Sequence, residues 1–265
     1  MKFGILTLGA ILLSLANSAI AAEGKLSIGT EGAYPPWSMA DSAGNVTGFD
    51  ADVGNLLCKK LNVECHFVVQ AFDGLIPALK AKRFDVIISG MSITADRKKE
   101  INFSVGYAEL ANMFVVPKSS DIAGLREVEP LLRDLDSKTI GVQTGTTHAH
   151  FVEKRLPNST LKTYDTLDNM QIDLVSGRVD AAFADASALQ DFLGKPEGKD
   201  FQFVDVKIQS KFDASLGEGI GVGISKDNTE LKTKVDKALC DLVADGSIGK
   251  ASMKWFKMDI SRPCE

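Results

Sequence analysis

The chain has 265 residues, 45% hydrophobic and 25% charged, with a formal net charge of −5 at pH 7. Its 30 basic residues are scattered among 35 acidic ones, which excludes the clustered positive surface that nucleic acid or an anionic membrane requires. The length suffices for one large domain or two of ~100 to 150 residues.

The chain opens "MKFGILTLGAILLSLANSAIAAEGK", with Lys2, a short apolar run and small residues at Ala19 and Ala21. That is the pattern of a secretory signal peptide over residues 1–22, cleaved near Ala21 or Ala22. The run falls short of the ~20 residues of a spanning helix. Export to an oxidising compartment makes disulfides the expected state of the four cysteines. Cys58 and Cys65 stand where a helix gives way to a strand in "LLCKKLNVEC" and are expected to pair locally. Cys240 and Cys264 remain, one in a helical pattern and one beside the C-terminus, either bonded or free. The cysteines lack CxxC spacing and the histidines are His66, His148 and His150, so no metal site is expected.

After the leader, "KLSIGT" (25–30) reads as a strand and "EGAYPPWS" as a loop enforced by glycine and two prolines. "FDADVGNLLCKKL" places Val53, Leu56, Leu57 and Leu61 on one helical face, with Asp50 available as an N-cap. The strands "HFVV" and "DVIIS" flank a helix in "DGLIPALKAKR", where Pro77 suits only the early turns. Then come the strand "NMFVVP", a helix near 123–135, the strand "KTIGV" (138–142) and a helix opening at "GTTHAHFVEKRL". "LDNMQIDLVSG" reads as helix, "VDAAFA" as strand, "ASALQDFL" as helix and "FQFVDV" as strand. A last strand "GIGVGIS" (219–225) precedes two closing helices. This alternation predicts an α/β protein with largely parallel sheets. In such folds ligand groups sit beyond the C-terminal ends of strands.

Four stretches stand at such ends: "TEGAY", "SGMSITADR", "QTGTTH" and the "AD" after "VDAAF". In "QTGTTH", Thr146 or Thr147 can cap the next helix while its free N–H groups face an anion. Ser89, Gly90 and Ser92 form a second small turn, and the Arg97 guanidinium near two such turns suits bidentate binding of a carboxylate. Asp185 fits either a helix N-cap or a partner for an α-ammonium group. With Arg97 it would read an amino-acid zwitterion. Tyr34 and Phe72 can sandwich a flat or aliphatic cationic side chain, and Glu31 can neutralise its far end. No GxSxG, GxxxxGK[ST] or HExxH motif is present. The glycine rhythm of "GEGIGVG" leads into a strand rather than opening a helix, so no dinucleotide cofactor is expected. Asn45 in "NVT" and Asn158 in "NST" match glycosylation acceptors and carry little weight alone.

"GTEGAYPPW", "GFDADVGNLLCKKLNVEC", "QAFDGLIPALKAKRFDVIISGMSIT", "GVQTGTTH", "DLVSGRVDAAFAD" and "GIGVGI" occur in that order. With them the chain resembles, nearly end to end after the leader, the bacterial periplasmic binding proteins of polar amino-acid ABC transporters, in the cluster that takes lysine, arginine, ornithine and histidine. The resemblance implies a two-lobed type II binding-protein fold, each lobe a mostly parallel sheet flanked by helices. Lobe one would span 24–110 and 213–265, lobe two 111–212, with a two-segment hinge near 108–111 and 210–215. It implies Arg97 on the ligand carboxylate with the turns at Ser92 and Thr147, and Asp185 with Ser92 on the ammonium. Tyr34 and Phe72 would flank the side chain, with Glu31, Ser89 and His148 near its tip. It further implies a periplasmic, monomeric, non-catalytic receptor without cofactor that delivers its ligand to an inner-membrane ABC permease.

Lysine-binding members often carry Asp where Glu31 stands and Ser where Gly90 stands, so the motifs look more like the arginine-preferring members. Opine-binding relatives share "TEG.Y" but tend to lose the acid at Asp185. A cyclohexadienyl dehydratase on the same scaffold is the enzymatic alternative. It would need Glu31 or His148 as general acid in a rearranged pocket.

Overall fold

The computed structural model describes residues 24–264, so the expected signal peptide lies outside the described residues. The strands are β1 (Lys25–Thr30), β2 (Glu64–Val69), β3 (Val86–Ile87), β4 (Asn102–Phe103), β5 (Asn112–Pro117), β6 (Thr139–Gln143), β7 (Thr160–Tyr164), β8 (Ala181–Asp185), β9 (Phe201–Phe203) and β10 (Gly223–Ile224). Around them pack α1 (Phe49–Leu61), α2 (Leu75–Lys80), α3 (Ala95–Glu100), α4 (Val128–Leu135), α5 (Thr147–Arg155), α6 (Leu167–Val175), α7 (Ala186–Leu193), α8 (Thr229–Ala244) and α9 (Ser247–Phe256).

Besides a small antiparallel sheet of three short strands, Ala33–Tyr34, Ser38–Ala40 and Val46–Thr47, two five-stranded sheets form, β2-β1-β3-β10-β4 and β7-β6-β8-β5-β9. They share one arrangement. β1 runs parallel to β2 and β3 while β10 opposes β3 and β4. Likewise β6 runs parallel to β7 and β8 while β5 opposes β8 and β9. The reversed strand is in each case the first one entered after the chain crosses from the other sheet. The mostly parallel α/β reading therefore holds, with one antiparallel strand in each lobe. The two crossings touch: Ala108 bridges Ile220, and Asn112 bridges Ile208.

The expected loop at 31–38 contains the short strand Ala33–Tyr34 and the first residue of Ser38–Ala40, and three further local expectations are corrected. The expected 123–135 helix begins only at Val128, which leaves Pro130 in the first turn, where its missing N–H removes no helix bond. The expected 219–225 strand shortens to Gly223–Ile224, because Gly217 and Gly219 take φ of 95° and 107° and bend the chain. Asp50 is no N-cap: Gly48 holds that position, and Asp50 turns inward, fully buried, to accept from the Gly90 N–H at 3.1 Å.

Both cysteine pairs are bonded, Cys58 to Cys65 and Cys240 to Cys264. The first ties the end of α1 to β2, and the second ties α8 to the C-terminal segment. The core of the second lobe is aromatic, with Phe114 stacked on Phe183 at 4.2 Å. No described helix is long and apolar enough to cross a membrane.

Candidate functional site

The chain segments that leave β1, β3, β6 and β8 meet between the two sheets. All eleven residues singled out in the sequence, from Glu31 to Asp185, line one narrow cavity there, together with Gln143. The lobes touch across it directly. Gln143 donates to Glu31 Oε1 at 2.5 Å, Arg97 Nη2 donates to the Gly145 carbonyl at 3.0 Å, and the Asp185 N–H donates to Tyr34 Oη at 3.4 Å.

Glycine permits two of these approaches. Gly145 has φ +73°, and a Cβ there would stand 3.0 Å from that of Asp73 in the facing lobe. Gly90 has φ +53°, and its Cβ would press on the Trp37 indole at 3.2 Å. Ser89 Oγ accepts from the Glu31 N–H at 3.0 Å, so the ends of neighbouring strands β1 and β3 are pinned side by side.

Arg97 sits in the first turn of α3, whose cap Thr94 accepts from its N–H. Its Nη1 donates to the Ser92 carbonyl at 2.9 Å, and the guanidinium lies 5.4 Å from the Phe72 ring centre. Desolvation lowers its pKa to about 10 against the pull of Asp185, so it stays cationic at neutral pH. Asp185 occupies the N-cap position of α7 yet makes no side-chain cap bond, so its carboxylate is not spent on the helix. Burial pushes it up to about 6, while the Tyr34 hydroxyl and Arg97 pull it back. Glu31, buried at 5% exposure, is pushed up to about 7 by desolvation, against the Gln143 hydrogen bond and with a push from Asp73. Each shift marks a charge taken out of water without a full counter-charge from the protein.

Thr146 resolves the cap alternative: its Oγ1 accepts from Ala149 N–H at 3.3 Å and meets the Gln143 carbonyl at 2.7 Å. Thr147, buried as the first residue of α5, is left for the cavity. His148 is neutral, its pKa driven down to about 3 by burial and the nearby Arg97. Asn112 Nδ2 donates to the Ile208 carbonyl at 3.1 Å, so Asn112 Oδ1 must accept from His148 Nε2–H at 2.7 Å. That tautomer leaves His148 Nδ1 as a bare acceptor. Nδ1 and Gln143 Oε1 are buried and have no partner among the described residues.

Gln143 and Asn112 were missed in the sequence. Gln143 heads the quoted stretch "QTGTTH", and its place as the last residue of a strand is the signal that could have found it. Asn112 carried no such signal.

Residues 26–258 match the family described as bacterial extracellular solute-binding proteins, family 3. The chain is 38% identical to the lysine/arginine/ornithine-binding periplasmic protein of Escherichia coli (strain K12), covering 98% of this chain and 99% of that protein. It is 34% identical to the octopine-binding periplasmic protein of Rhizobium meliloti, over 95% and 97% of the two chains. Among solved structures, an ancestral arginine-binding protein bound to arginine superposes with a TM-score of 0.78 at 35% identity, covering 89% of this chain and 99% of that one.

Proposed function

Because the chain belongs to family 3 of the bacterial extracellular solute-binding proteins, we propose that it is a periplasmic receptor for a cationic L-amino acid, arginine foremost. The observation that carries this reading is the set of three desolvated charges around one cavity, Arg97, Asp185 and Glu31. A ligand with a carboxylate, an α-ammonium and a distal cation answers all three. Arg97 and Thr147 take the carboxylate, Asp185 with Ser92 takes the ammonium, and Tyr34 and Phe72 flank the side chain. Glu31, Ser89, Gln143 and His148 meet its far end.

The preference for arginine over lysine has its own support. Glu31, Gln143 Oε1 and His148 Nδ1 all accept hydrogen bonds. A guanidinium is a planar fork of N–H donors with no acceptor and matches such a wall better than an ammonium does. Lobes 24–110 plus 213–265 and 111–212 close on the ligand about crossings near 108–111 and 210–215. Binding energy is then the differential affinity for the closed form. The closed, monomeric receptor presents both lobes to an inner-membrane ABC permease.

A second reading, an N-substituted arginine, is favoured by the likeness to the octopine-binding protein and by a small cleft that adjoins the first cavity at Ser92 and Asp185. Glu109 also lines it. The two carboxylates oppose an acidic substituent, and Asp185 suits a free ammonium. A carboxyl near pKa 7 also suits a general acid, so turnover of prephenate or arogenate would replace the receptor by an enzyme. The deciding experiment is calorimetry on mature protein stripped by unfolding and refolding, titrated with L-arginine, L-ornithine, L-lysine, L-histidine, L-glutamine and octopine. Tight binding led by arginine is expected. Binding of octopine alone would overturn the role given to Asp185.

A further inference from the structure

Trp37 lies between the short strands Ala33–Tyr34 and Ser38–Ala40 and is 1% exposed. Its ring meets Phe49 edge-on at 5.6 Å and Phe256 at 4.9 Å, so its body belongs to the core of the first lobe. Its one polar side-chain atom reaches the other lobe. The indole N–H donates to Ser187 Oγ at 3.1 Å, in the first turn of α7 and two residues past Asp185. On its remaining side the indole is the surface that forbids a Cβ at Gly90. One side chain thus backs a turn on one wall of the cavity and bonds to the helix that follows Asp185 on the other. Neither Trp37 nor Ser187 lines the cavity itself.

We infer that Trp37 is a positioning residue for ligand capture: through Ser187 it favours closure whatever the ligand, while its ring fixes the Gly90 turn. This rests on the receptor reading above. An indole nitrogen only donates, and on closure it exchanges water for Ser187 at the net worth of one hydrogen bond. When the lobes part, Ser187 is lost as its partner. Apparent affinity scales with the population of the binding-competent form. Removing this bond therefore weakens every ligand by one common factor, unlike a change at Glu31, which acts on the ligand's distal charge.

The test is a double-mutant cycle on the mature chain, with wild type, Trp37→Phe, Ser187→Ala and the double variant titrated with L-arginine and L-lysine. Each single change is expected to weaken binding roughly 2- to 12-fold, the worth of one hydrogen bond, by the same factor for both ligands. The double variant should be no weaker than the weaker single. The thermal midpoint of stripped Ser187→Ala should match wild type. The chain has two tryptophans, so in a Trp255→Phe background Trp37 emission reports directly and should shift when arginine is added. If wild type binds and Ser187→Ala binds as tightly, or the single losses multiply in the double variant, the inference falls and the receptor reading stands. If wild type binds none of the six calorimetry ligands, both fall.

Discussion

Two carboxylates face the same cavity from opposite lobes, and burial raises both, yet they are held differently. Asp185 has a full cation in view, Arg97, and a hydroxyl from Tyr34, and settles at about 6. Among the described residues the Glu31 carboxylate has the Gln143 amide as partner, feels the like charge of Asp73, and rises to about 7. The difference lies in the company each keeps. In the proposed reading the Asp185 end, a carboxylate within the field of Arg97, matches the fixed zwitterion of any amino acid. At the Glu31 end the Gln143 amide opposes the desolvation, and in the same reading that end selects among side chains. That reading separates common recognition from discrimination along the cavity.

The heaviest blow to the common end is Arg97→Ala. It strips the proposed clamp on the ligand carboxylate and removes the cation whose field lowers the Asp185 pKa, and should cost toward the top of the about 2–5 kcal/mol seen when one member of a buried charge pair is removed. Calorimetry should then detect no binding of arginine or of glutamine. Asp185→Ala removes the ammonium partner while sparing the clamp, with a loss in the lower half of that about 2–5 kcal/mol range, again for every α-amino acid. Glu31→Gln should cost about 1.5–3 kcal/mol, the worth of a hydrogen bond to a charged group, for arginine and lysine only. An equal loss for glutamine in that variant would erase the distinction between the two ends.

What the sequence discloses follows the same division. The strand ends, the glycine turns and the charged residues are local features, and "SGMSITADR", "QTGTTH" and "VDAAFAD" point to the cavity because strand termini in α/β sheets converge. Partners that meet only through the placement of one lobe against the other leave no such trace. Gln143 reaches Glu31 across 112 positions and carries no charge to attract notice. Asn112 sits in "NMFVVP", which reads as an ordinary buried strand, and its role in setting the His148 tautomer depends on a chain crossing. Asp50 looks like a cap because acids favour helix starts, whereas the fold uses it beneath Gly90. For Asp185, cap and ligand partner share one position, and only the missing side-chain cap bond separates them.

The smallest effect separates the two carboxylates by pH. Glu31 titrates near 7 in the cavity, and a ligand cation beside it lowers that value, so arginine binding releases a proton. Affinity must therefore rise with pH and level off above 7. Between pH 6 and 7.5 the ionised fraction of a group at pKa 7 grows about eightfold, which bounds the gain in arginine affinity from this site. Asp185, near 6, adds a weaker dependence at lower pH that every amino acid shares. Folding runs the other way. The folded pKa of Glu31 lies above its ordinary 4.5, so the stability of its neutral form is complete below 4.5 and is lost as pH rises through 7, at no more than about 1.4 kcal/mol per pH unit. In Glu31→Gln the affinity rise near 7 should disappear and only the Asp185 dependence remain. A rise of the same size in that variant would assign the proton to Asp185 and make the two ends of the cavity one electrostatic unit.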